Sequence, residues 1–281
     1  MIGFIILNYR TYNDTIDLIK SIKKIKDKNK IHIFVVDNQT NQKELESLKL
    51  NISQEDLVVT YIPLDSNLGF ANGMNQGIRA AKSIGCDYII CSNNDILLPN
   101  EFTFSGLINP YVNNEKVAMI GPIIKNLSNE NQNPLYLNDP FRKKIKNKII
   151  TLFFLNHIFG KSLYILRGLI KEYANKKKKN LDINHSDIYC LHGSFFVLTP
   201  SYFHHYDELD KNTFLYFEEL ILAKRINLVG LCSKLNTNSY VVHKEDSSTN
   251  DIFKQKRLSK SLFVLKENYK SFKYFFTNYI K

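Results

Sequence analysis

Blocks of apolar and polar residues alternate along the first part of the chain in a way that predicts strands and amphipathic helices in turn. Continuous apolar, β-rich runs predict strands at 3–7, 31–36, 57–62 and 88–91, and helical spacing of apolar residues predicts helices at 11–25 and 73–83. Strands that are apolar on both faces are typical of parallel sheets covered by helices on each side. We therefore expect an α/β fold with a central, mostly parallel sheet.

The later part of the chain continues this pattern less regularly. A strand at 117–120 is followed by a predicted turn at Gly121-Pro122 and an Asn-rich loop that extends to Asp139. Further apolar patterning predicts β structure at 189–198, a helix at 213–227, a short strand at 239–243 and a helical tail at 258–279.

The net charge of +11 on the 281-residue chain is concentrated in one segment. Residues 140–180 contain twelve basic residues and one acidic residue, and basic and acidic residues balance in the rest of the chain. Within this segment, the apolar stretch 149–159 is shorter than the roughly 20 residues that span a bilayer. Because lysines flank it, we expect an interfacial element that contacts anionic membrane; the alternative is a solvated basic loop over a helix packed on the core. Its aromatic residues lie among aliphatic ones, which argues against nucleic-acid binding.

The cysteines and the amino-terminal residues bear on the compartment. Cys86, Cys91, Cys190 and Cys232 form no CxxC pair and have no histidine at zinc-finger spacing, so we expect free thiols in a reducing compartment. The apolar residues 1–7 lack the basic start of a signal peptide, and we interpret them as the first strand. These features predict a cytoplasmic protein, peripheral on the inner face of the plasma membrane.

Polar side chains follow three predicted strands, at Asn8-Tyr9, Asp37-Asn38 and Asn93-Asn94-Asp95. The carboxyl ends of parallel strands lie at one sheet edge, where such folds bind ligands. The last triplet offers carboxylate and amide oxygens to a divalent cation bound to a diphosphate, although the same residues are also common in turns. Asp37 could bind the base or ribose of a nucleotide, or cap the loop that follows it. Neither GxGxxG nor GxxxxGK[ST] occurs, so a nucleotide would be held by side chains and a metal ion.

Three further features carry polar residues in informative surroundings. Residues 65–77, DSNLGFANGMNQG, place glycines and asparagines ahead of a helix. This pattern suits the binding of a diphosphate or sugar, and the alternative is a plain loop-to-helix junction. Glu218 and Glu219 lie among apolar residues, where desolvation raises the pKa of a carboxylate as a general base near neutral pH requires. One of the two glutamates could instead pair with Lys224 or Arg225. His243 ends a predicted strand and could complete a metal site or be structural.

Taken in order, eight sequence blocks resemble the family 2 inverting glycosyltransferases of GT-A fold, especially the rhamnosyltransferase-like members that build bacterial surface polysaccharides. The blocks are FIILNYRTYNDTIDLIKSI, IFVVDNQTN, LDSNLGFANGMNQGIRAA, DYIICSNNDILLP, AMIGPII, LHGSFFVLTPSYF, FLYFEELILAKRINLVG and VVHKEDSST. They cover residues 2–125 and about 188–250. The resemblance is specific for the family and not for the sugar.

The resemblance implies a role for each matching residue. Asp95 would be the principal protein ligand of Mn²⁺ or Mg²⁺, with Asn93 and His243 as further metal or phosphate contacts. Glu219, or its neighbour Glu218, would deprotonate the acceptor hydroxyl for a single in-line displacement. The residues implied for the nucleotide pocket and the donor are Asn8, Tyr9, Asp37, Asn67, Gly69, Phe70, Asn72, Asn93 and Asn94.

Three positions depart from the family pattern. Asn93 replaces a possible acid, Glu219 stands where the family usually has Asp, and Ile221 stands where many relatives have a further acid. These departures keep open a catalytically degenerate member that binds a membrane or a partner protein. A nucleotidyltransferase is a second alternative, but it would need a Gly-rich loop with Arg and Lys after the first strand, where only Arg10 is present.

The resemblance also implies an organisation and a reaction. It divides the chain into the nucleotide-sugar-binding half of a GT-A domain at 1–125, a basic, partly amphipathic helical insertion at 126–187, an acceptor and catalytic half at 188–250 and a helical tail at 251–281. The implied reaction moves a sugar, rhamnose or another hexose, from a nucleotide diphosphate donor to a glycan or lipid-linked acceptor with inversion. The implied process is the synthesis of lipopolysaccharide, capsule or cell wall. The sequence does not specify the donor base, the linkage or the oligomeric state.

Overall fold

The computed structural model of the protein describes residues 1–52, 56–140, 188–245 and 257–280. The predicted membrane element at 149–159 and the lysines at 176–179 lie outside the described residues. Among the helices within those ranges, none combines the length and apolar character needed to cross a membrane. The cysteines are free thiols, as predicted.

One sheet of eight strands runs through the described part of the chain. The strands are β1 Ile2–Asn8, β2 Ile31–Asn38, β3 Val59–Leu64, β4 Tyr88–Asn93, β5 Ile96–Leu97, β6 Val117–Asn126, β7 Phe195–Leu198 and β8 Cys232–His243. Their order across the sheet is β3-β2-β1-β4-β7-β6-β8-β5. Strands β3, β2, β1 and β4 are parallel, as are β6 and β8, whereas β7 and β5 pair antiparallel with their neighbours. This confirms the predicted mostly parallel sheet.

Helices cover both faces of the sheet. They are α1 Tyr12–Lys23, α2 Gln42–Ile52, α3 Phe70–Ser83, α4 Phe104–Ile108, α5 Pro200–Phe203, α6 Glu218–Leu228 and α7 Arg257–Phe275, which continues as a π-helical turn at Phe276–Ile280. Side chains alternate across each strand, so Phe4 of β1 belongs to one hydrophobic core and Ile5 to the other. The first core includes Leu18 of α1, and the second includes Met74 of α3. The predicted α/β fold with helices on both faces is therefore confirmed.

Four predicted boundaries are wrong. The β structure predicted at 189–198 forms a strand only at Phe195–Leu198, and the short strand predicted at 239–243 begins at Cys232. No turn forms at Gly121-Pro122, because β6 continues through it and its pairing with β8 shifts register between Pro122 and Ile123. A proline lacks the amide hydrogen of a strand ladder, and such an irregularity accommodates it. The helix predicted at 213–227 begins only at Glu218, because Tyr216 and Phe217 both have a left-handed backbone with φ of 71°.

Candidate active site

The carboxyl ends of β1 and β2 are joined by a buried hydrogen-bond network around Asp37. Asn8 and Asp37 pair in register and are 0% exposed. The Asn8 amide donates to Asp37 Oδ1 at 2.8 Å, and the Tyr12 hydroxyl donates to Asp37 Oδ2 at 2.6 Å. Burial raises the pKa of Asp37, and these hydrogen bonds oppose the rise. Both carboxylate oxygens are thus held by neighbours, and the predicted contact of Asn8 and Asp37 with a nucleotide stays a prediction.

Asn94 ties the end of β4 to the same network. Its Nδ2 lies 3.0 Å from Asn8 Oδ1, 2.8 Å from Thr11 Oγ1 and 3.1 Å from Thr15 Oγ1. The residue is buried. Its side chain therefore holds together the ends of β1 and β4 and the start of α1, whereas its predicted role at the donor stays a prediction.

Tyr9 and Arg10 follow β1 on the exposed side of this edge. The Arg10 guanidinium lies 5.1 Å from the centre of the Tyr9 ring and donates to Gln39 Oε1 at 3.0 Å. Arg10 and Gln39 have φ of 64° and 96°, a left-handed conformation that is uncommon without glycine and that clusters at ligand sites. Arg10 and Gln39 thus lie beside the predicted nucleotide pocket. No local sequence pattern predicts that these two residues belong there.

The loop before α3 is shaped by Asn38 and Asn67. The Asn38 amide donates to Asn67 Oδ1 at 2.9 Å, and Asn38 Oδ1 accepts from the Leu68 N–H at 2.8 Å. Gly69 has φ of 83°, and a Cβ there would lie 2.2 Å from the Phe214 carbonyl oxygen, so glycine is required. The Phe70 N–H donates to that same carbonyl at 3.0 Å. The predicted donor loop therefore packs directly on the segment that precedes α6.

Helix α3 holds the start of that segment through two asparagines. Asn72 donates to the Lys211 carbonyl at 2.9 Å. Asn75 exchanges hydrogen bonds with the backbone of Leu209, at 3.0 and 2.9 Å. The Asn72 amide is therefore used in positioning the segment, and its predicted approach to the donor stays a prediction.

Asp95 and His243 come together because β5 pairs with β8. Ile96 pairs with His243, and the Lys244 N–H donates to the Asp95 carbonyl at 2.9 Å. As a result, Asp95 Oδ1 lies 3.4 Å from His243 Nε2, and the two side chains are only 8% and 11% exposed.

Gln132 sets the orientation of the His243 ring. Gln132 Nε2 donates a hydrogen bond to the Glu245 carboxylate. This hydrogen bond leaves Gln132 Oε1 facing His243 Nδ1 at 2.9 Å. If a metal ion binds, a proton on Nδ1 shared with Gln132 Oε1 would leave the lone pair of Nε2 for the ion. The His243 nitrogen and the Asp95 carboxylate lie close enough together to bind one divalent cation.

This pair fits an ion that also binds a diphosphate. Across the described ranges, no group of three or more His, Cys, Asp and Glu residues is arranged to hold a metal ion. Mg²⁺ and similar ions need only one or two protein ligands when phosphate oxygens and water complete the shell. Asn93 is half-buried, and its amide oxygen accepts no hydrogen bond from another described residue, so this oxygen is available as the predicted neutral ligand.

His192 belongs to the same site, although the sequence singles it out only as part of the LHGS block. Its ring centre lies 5.6 Å from that of His243 in an edge-to-face arrangement. His192 Nδ1 accepts the Ser194 N–H at 3.1 Å and lies 2.9 Å from Ser194 Oγ. Nδ1 is therefore the unprotonated nitrogen of the neutral ring.

Glu219 lies in the first turn of α6, against Gly193. The Gly193 N–H donates to the Glu219 carboxylate, and a Cβ on Gly193 would lie 2.7 Å from Glu219 Oε1. Burial raises the pKa of Glu219, and the backbone hydrogen bonds from Glu219 and Gly193 oppose the rise. A carboxylate oriented in this way can accept a proton from a hydroxyl group.

Glu218 differs from its neighbour. Its Oε1 is buried and has no hydrogen-bond partner among the residues that the structure describes. Burial, and then the charge of Glu219, raise the pKa of Glu218 to about 8. Both glutamates line a small pocket with Phe70 and Gly193; its volume of about 10 Å³ has room for about one water molecule.

The alternative ion pair for Glu218 or Glu219 is not formed among the described residues. Lys224 faces Asp139 at 4.0 Å. The Arg225 guanidinium lies 4.0 Å from the centre of the Tyr206 ring. Neither Lys224 nor Arg225 therefore forms an ion pair with Glu218 or Glu219 among the described residues.

The tripeptide at 192–194 connects the two parts of the site. The Ser194 carbonyl accepts the Asn93 N–H at 2.8 Å, Gly193 holds Glu219, and His192 packs on His243. The strand end that precedes Asp95 and the helix start that carries Glu219 are therefore held by three consecutive residues.

Comparisons with solved structures identify the fold. A crystal structure of GalNAc-T7 with UDP, GalNAc and Mn²⁺ is 12% identical with a TM-score of 0.60, over 88% of this chain and 44% of that one. A crystal structure of S. aureus TarS 1-349 is 10% identical with a TM-score of 0.56, over 99% of this chain and 73% of that one. The mannosyltransferase PcManGT from Pyrobaculum calidifontis, in complex with GDP-Man and Mn²⁺, is 10% identical with a TM-score of 0.56, over 99% of this chain and 75% of that one. These similarities show the GT-A fold, and this chain spans less than half the length of the GalNAc-T7 structure.

Sequence comparison identifies the family. No curated protein matches the chain. The model of glycosyl transferase family 2 matches residues 4–183, which is more than half of the chain. The predicted family is thereby confirmed: the protein belongs to glycosyl transferase family 2.

Proposed function

We propose that the protein is a metal-dependent, inverting glycosyltransferase that moves a sugar from a nucleotide diphosphate to an acceptor hydroxyl group. The observation that carries the proposal is the convergence of Asp95 and His243 at one sheet edge, connected through 192–194 to Glu219. Family membership supports the reaction class. The structures of GalNAc-T7 and PcManGT, each with Mn²⁺ and a nucleotide or nucleotide sugar, support the choice of cofactor and donor.

Asp95 and His243 would hold Mn²⁺ or Mg²⁺, with Asn93 as a neutral ligand. The ion would stabilise the charge that develops on the leaving diphosphate. The residues of this chain that we assign to the nucleotide and donor are Asn8, Tyr9, Asp37, Asn67, Gly69, Phe70, Asn72 and Asn94. Tyr9 and Phe70 are aromatic and partly exposed, so their rings could contact the donor. Asn8, Asp37 and Asn94 are buried and hold the strand ends in place.

Glu219 would act as the general base. Its carboxylate takes the proton of the acceptor hydroxyl while the acceptor oxygen bonds to the anomeric carbon and the bond from that carbon to the diphosphate breaks, which inverts the configuration. Glu218 is the poorer candidate, because two adjacent carboxylates do not readily ionise together and burial keeps the proton on Glu218. The Gly193 N–H, which orients Glu219, supports the same assignment.

Two variants test the two halves of this site. Calorimetry of nucleoside diphosphates with Mn²⁺ should show that Asp95→Ala loses metal-dependent binding, whereas Glu219→Gln keeps it. Transfer from a panel of nucleotide sugars should be abolished in Asp95→Ala and lowered by about 10² or more in Glu219→Gln. Asp87→Ala, which changes an exposed aspartate at the start of β4, is the matched control. Unchanged binding in Asp95→Ala would overturn the metal assignment, and a lack of transfer from every donor would favour the catalytically degenerate alternative.

We also propose a finer role, as a rhamnosyltransferase-like enzyme that adds rhamnose or another hexose to a glycan or lipid-linked acceptor of a bacterial surface polysaccharide. The order of the sequence blocks supports this role and the division of the chain at 1–125, 126–187, 188–250 and 251–281. The charge of 140–180 supports peripheral contact with the inner face of the plasma membrane. Charge reversal across 176–179 should release the protein from anionic liposomes, and unchanged co-sedimentation would contradict the membrane contact.

A further inference from the structure

Two tyrosines near the end of the described chain hold the beginning of the segment 210–217, which leads into α6. Asp210 Oδ2 accepts hydrogen bonds from the Tyr274 hydroxyl at 2.8 Å and from the Tyr279 hydroxyl. Asn212 Nδ2 lies 2.9 Å from both Asp210 Oδ1 and the Tyr274 hydroxyl oxygen. Burial would raise the pKa of Asp210, but the hydrogen bonds from Tyr279, Asn212 and Tyr274 bring it below its ordinary value. The acceptor is thus a charged carboxylate, which makes stronger hydrogen bonds than a neutral group.

Helix α7 also holds the end of this segment. The Ser271 hydroxyl donates to the Leu215 carbonyl at 2.7 Å. The Phe217 ring lies 5.6 Å from the Phe272 ring and 5.8 Å from the fully buried Phe275 ring, measured between centres. Phe217 is the residue directly before Glu218, and its left-handed backbone costs about 1–2 kcal/mol. The aromatic packing therefore stabilises a strained backbone at the start of α6.

The same segment also contacts the predicted donor loop. The Phe214 carbonyl accepts the Phe70 N–H at 3.0 Å and leaves no room for a Cβ at Gly69. The Lys211 carbonyl accepts from Asn72 at 2.9 Å. The segment 210–217 is thus fixed between α7 and the donor loop, and the residues that follow it are Glu218 and Glu219.

We propose that α7 and its π-helical turn are a positioning element for the general base. Tyr274 and Tyr279, acting through Asp210, and the aromatic rings that hold Phe217 set the place of Glu219 relative to the donor. This inference rests on the proposed function, because it takes Glu219 as the base. The two tyrosines act through another residue and are positioning residues, not catalytic ones.

The test uses the full chain with the double substitution Tyr274→Phe and Tyr279→Phe, which removes both hydroxyl donors and keeps both rings. Transfer kinetics with Mn²⁺ should show a kcat lowered by about tenfold or more, because a small displacement of a reacting group is costly. The calorimetric affinity for a nucleoside diphosphate with Mn²⁺ should not change, since Asp95 and His243 lie outside this contact. Asp210→Asn, which keeps the shape of the acceptor but removes its charge, should likewise lower kcat and leave the nucleotide affinity unchanged.

Tyr269→Phe is the matched control. Tyr269 is on the same helix, and its hydroxyl donates no hydrogen bond to another described residue, so its kcat should equal that of the wild type. Suppose that Glu219→Gln abolishes transfer but the double tyrosine variant keeps the wild-type kcat. This result would overturn the positioning role and leave the proposed function standing. A parallel fall of kcat and nucleotide affinity would also overturn it, because a merely structural helix would affect both. Full transfer by Glu219→Gln would overturn the proposed function itself, and the positioning of a base with it.

Discussion

Gly193 lies directly against Glu219. A Cβ at Gly193 would be 2.7 Å from Glu219 Oε1 and 2.9 Å from its Cγ, while the Gly193 N–H donates to the same carboxylate. Residue 193 must therefore be small, and the backbone of Gly193 determines where the Glu219 carboxylate lies.

Gly193→Ala should move the Glu219 carboxylate away from the acceptor. We expect transfer to fall by about 10², because displacement of a catalytic group by about 1 Å has an effect of this size. Nucleotide binding with Mn²⁺, measured by calorimetry, should not change. Gly85→Ala is the control: no atom lies within 4 Å of its added Cβ, and its left-handed backbone should lower stability by about 1–2 kcal/mol without affecting transfer. Full activity of Gly193→Ala would contradict the position assigned to the base.

Gln132 should control the metal affinity of His243. Gln132→Leu removes the hydrogen bond to His243 Nδ1, so the ring loses its fixed orientation towards Asp95. Loss of such a supporting contact lowers metal affinity by about 10–100-fold. Titration with Mn²⁺ in the presence of a nucleoside diphosphate measures this effect without relying on activity. The exposed Gln42→Leu, on α2, should bind as the wild type does. An equal affinity of the Gln132 variant would contradict the role of Gln132 in orienting His243.

The sheet and its polar edge could be predicted because their signals are local. Apolar strands of parallel type carry Asn8, Asp37 and Asn93 at their carboxyl ends, and the register of β1 with β2 and β4 brings these residues together. The helical tail could be predicted for the same reason, since the helix is read from the spacing of its own apolar residues.

The remaining contacts of the site depend on residues that are distant in sequence. Strand β5 has only two residues, too few for a pattern, yet its pairing with β8 places Asp95 beside His243. Gln132 lies in a loop, and its contact with His243 spans 111 residues. Gly193 is one glycine among eleven, and only the approach of α6 shows why it is needed.

The buried Glu218 should make stability depend on pH. Because burial raises its pKa to about 8, above the value of about 4.3 in an unfolded chain, the folded protein binds this proton more tightly. Ionisation of the buried Glu218 should therefore lower the free energy of unfolding of the wild type as pH rises from about 4.3 to about 8. Glu218→Gln has no carboxyl group to ionise at this position, so above pH 8 this variant should be more stable than the wild type by about 1 kcal/mol or more.

Thermal unfolding at several pH values measures this difference. The advantage of Glu218→Gln should disappear well below pH 4, where the wild-type carboxyl group is protonated in both the folded and the unfolded state. The exposed Glu46→Gln, on α2, should show no such trend. A constant difference across the pH range would mean that Glu218 ionises as easily in the folded protein as in the unfolded chain.

Tyr12 should stabilise the charged form of Asp37 beneath the predicted nucleotide pocket. Tyr12→Phe removes the 2.6 Å hydrogen bond to Asp37 Oδ2 and leaves a buried carboxylate oxygen without that donor, which costs about 1–3 kcal/mol. The missing bond also raises the pKa of Asp37 further, because it favours the ionised form. Urea denaturation should therefore show the loss in full at neutral pH and a smaller loss at acid pH, where Asp37 is protonated. Tyr61→Phe, which alters a half-buried ring on β3, should change stability less and by the same amount at both pH values. A loss in Tyr12→Phe that is equal at both pH values would mean that Asp37 is already neutral in the native protein.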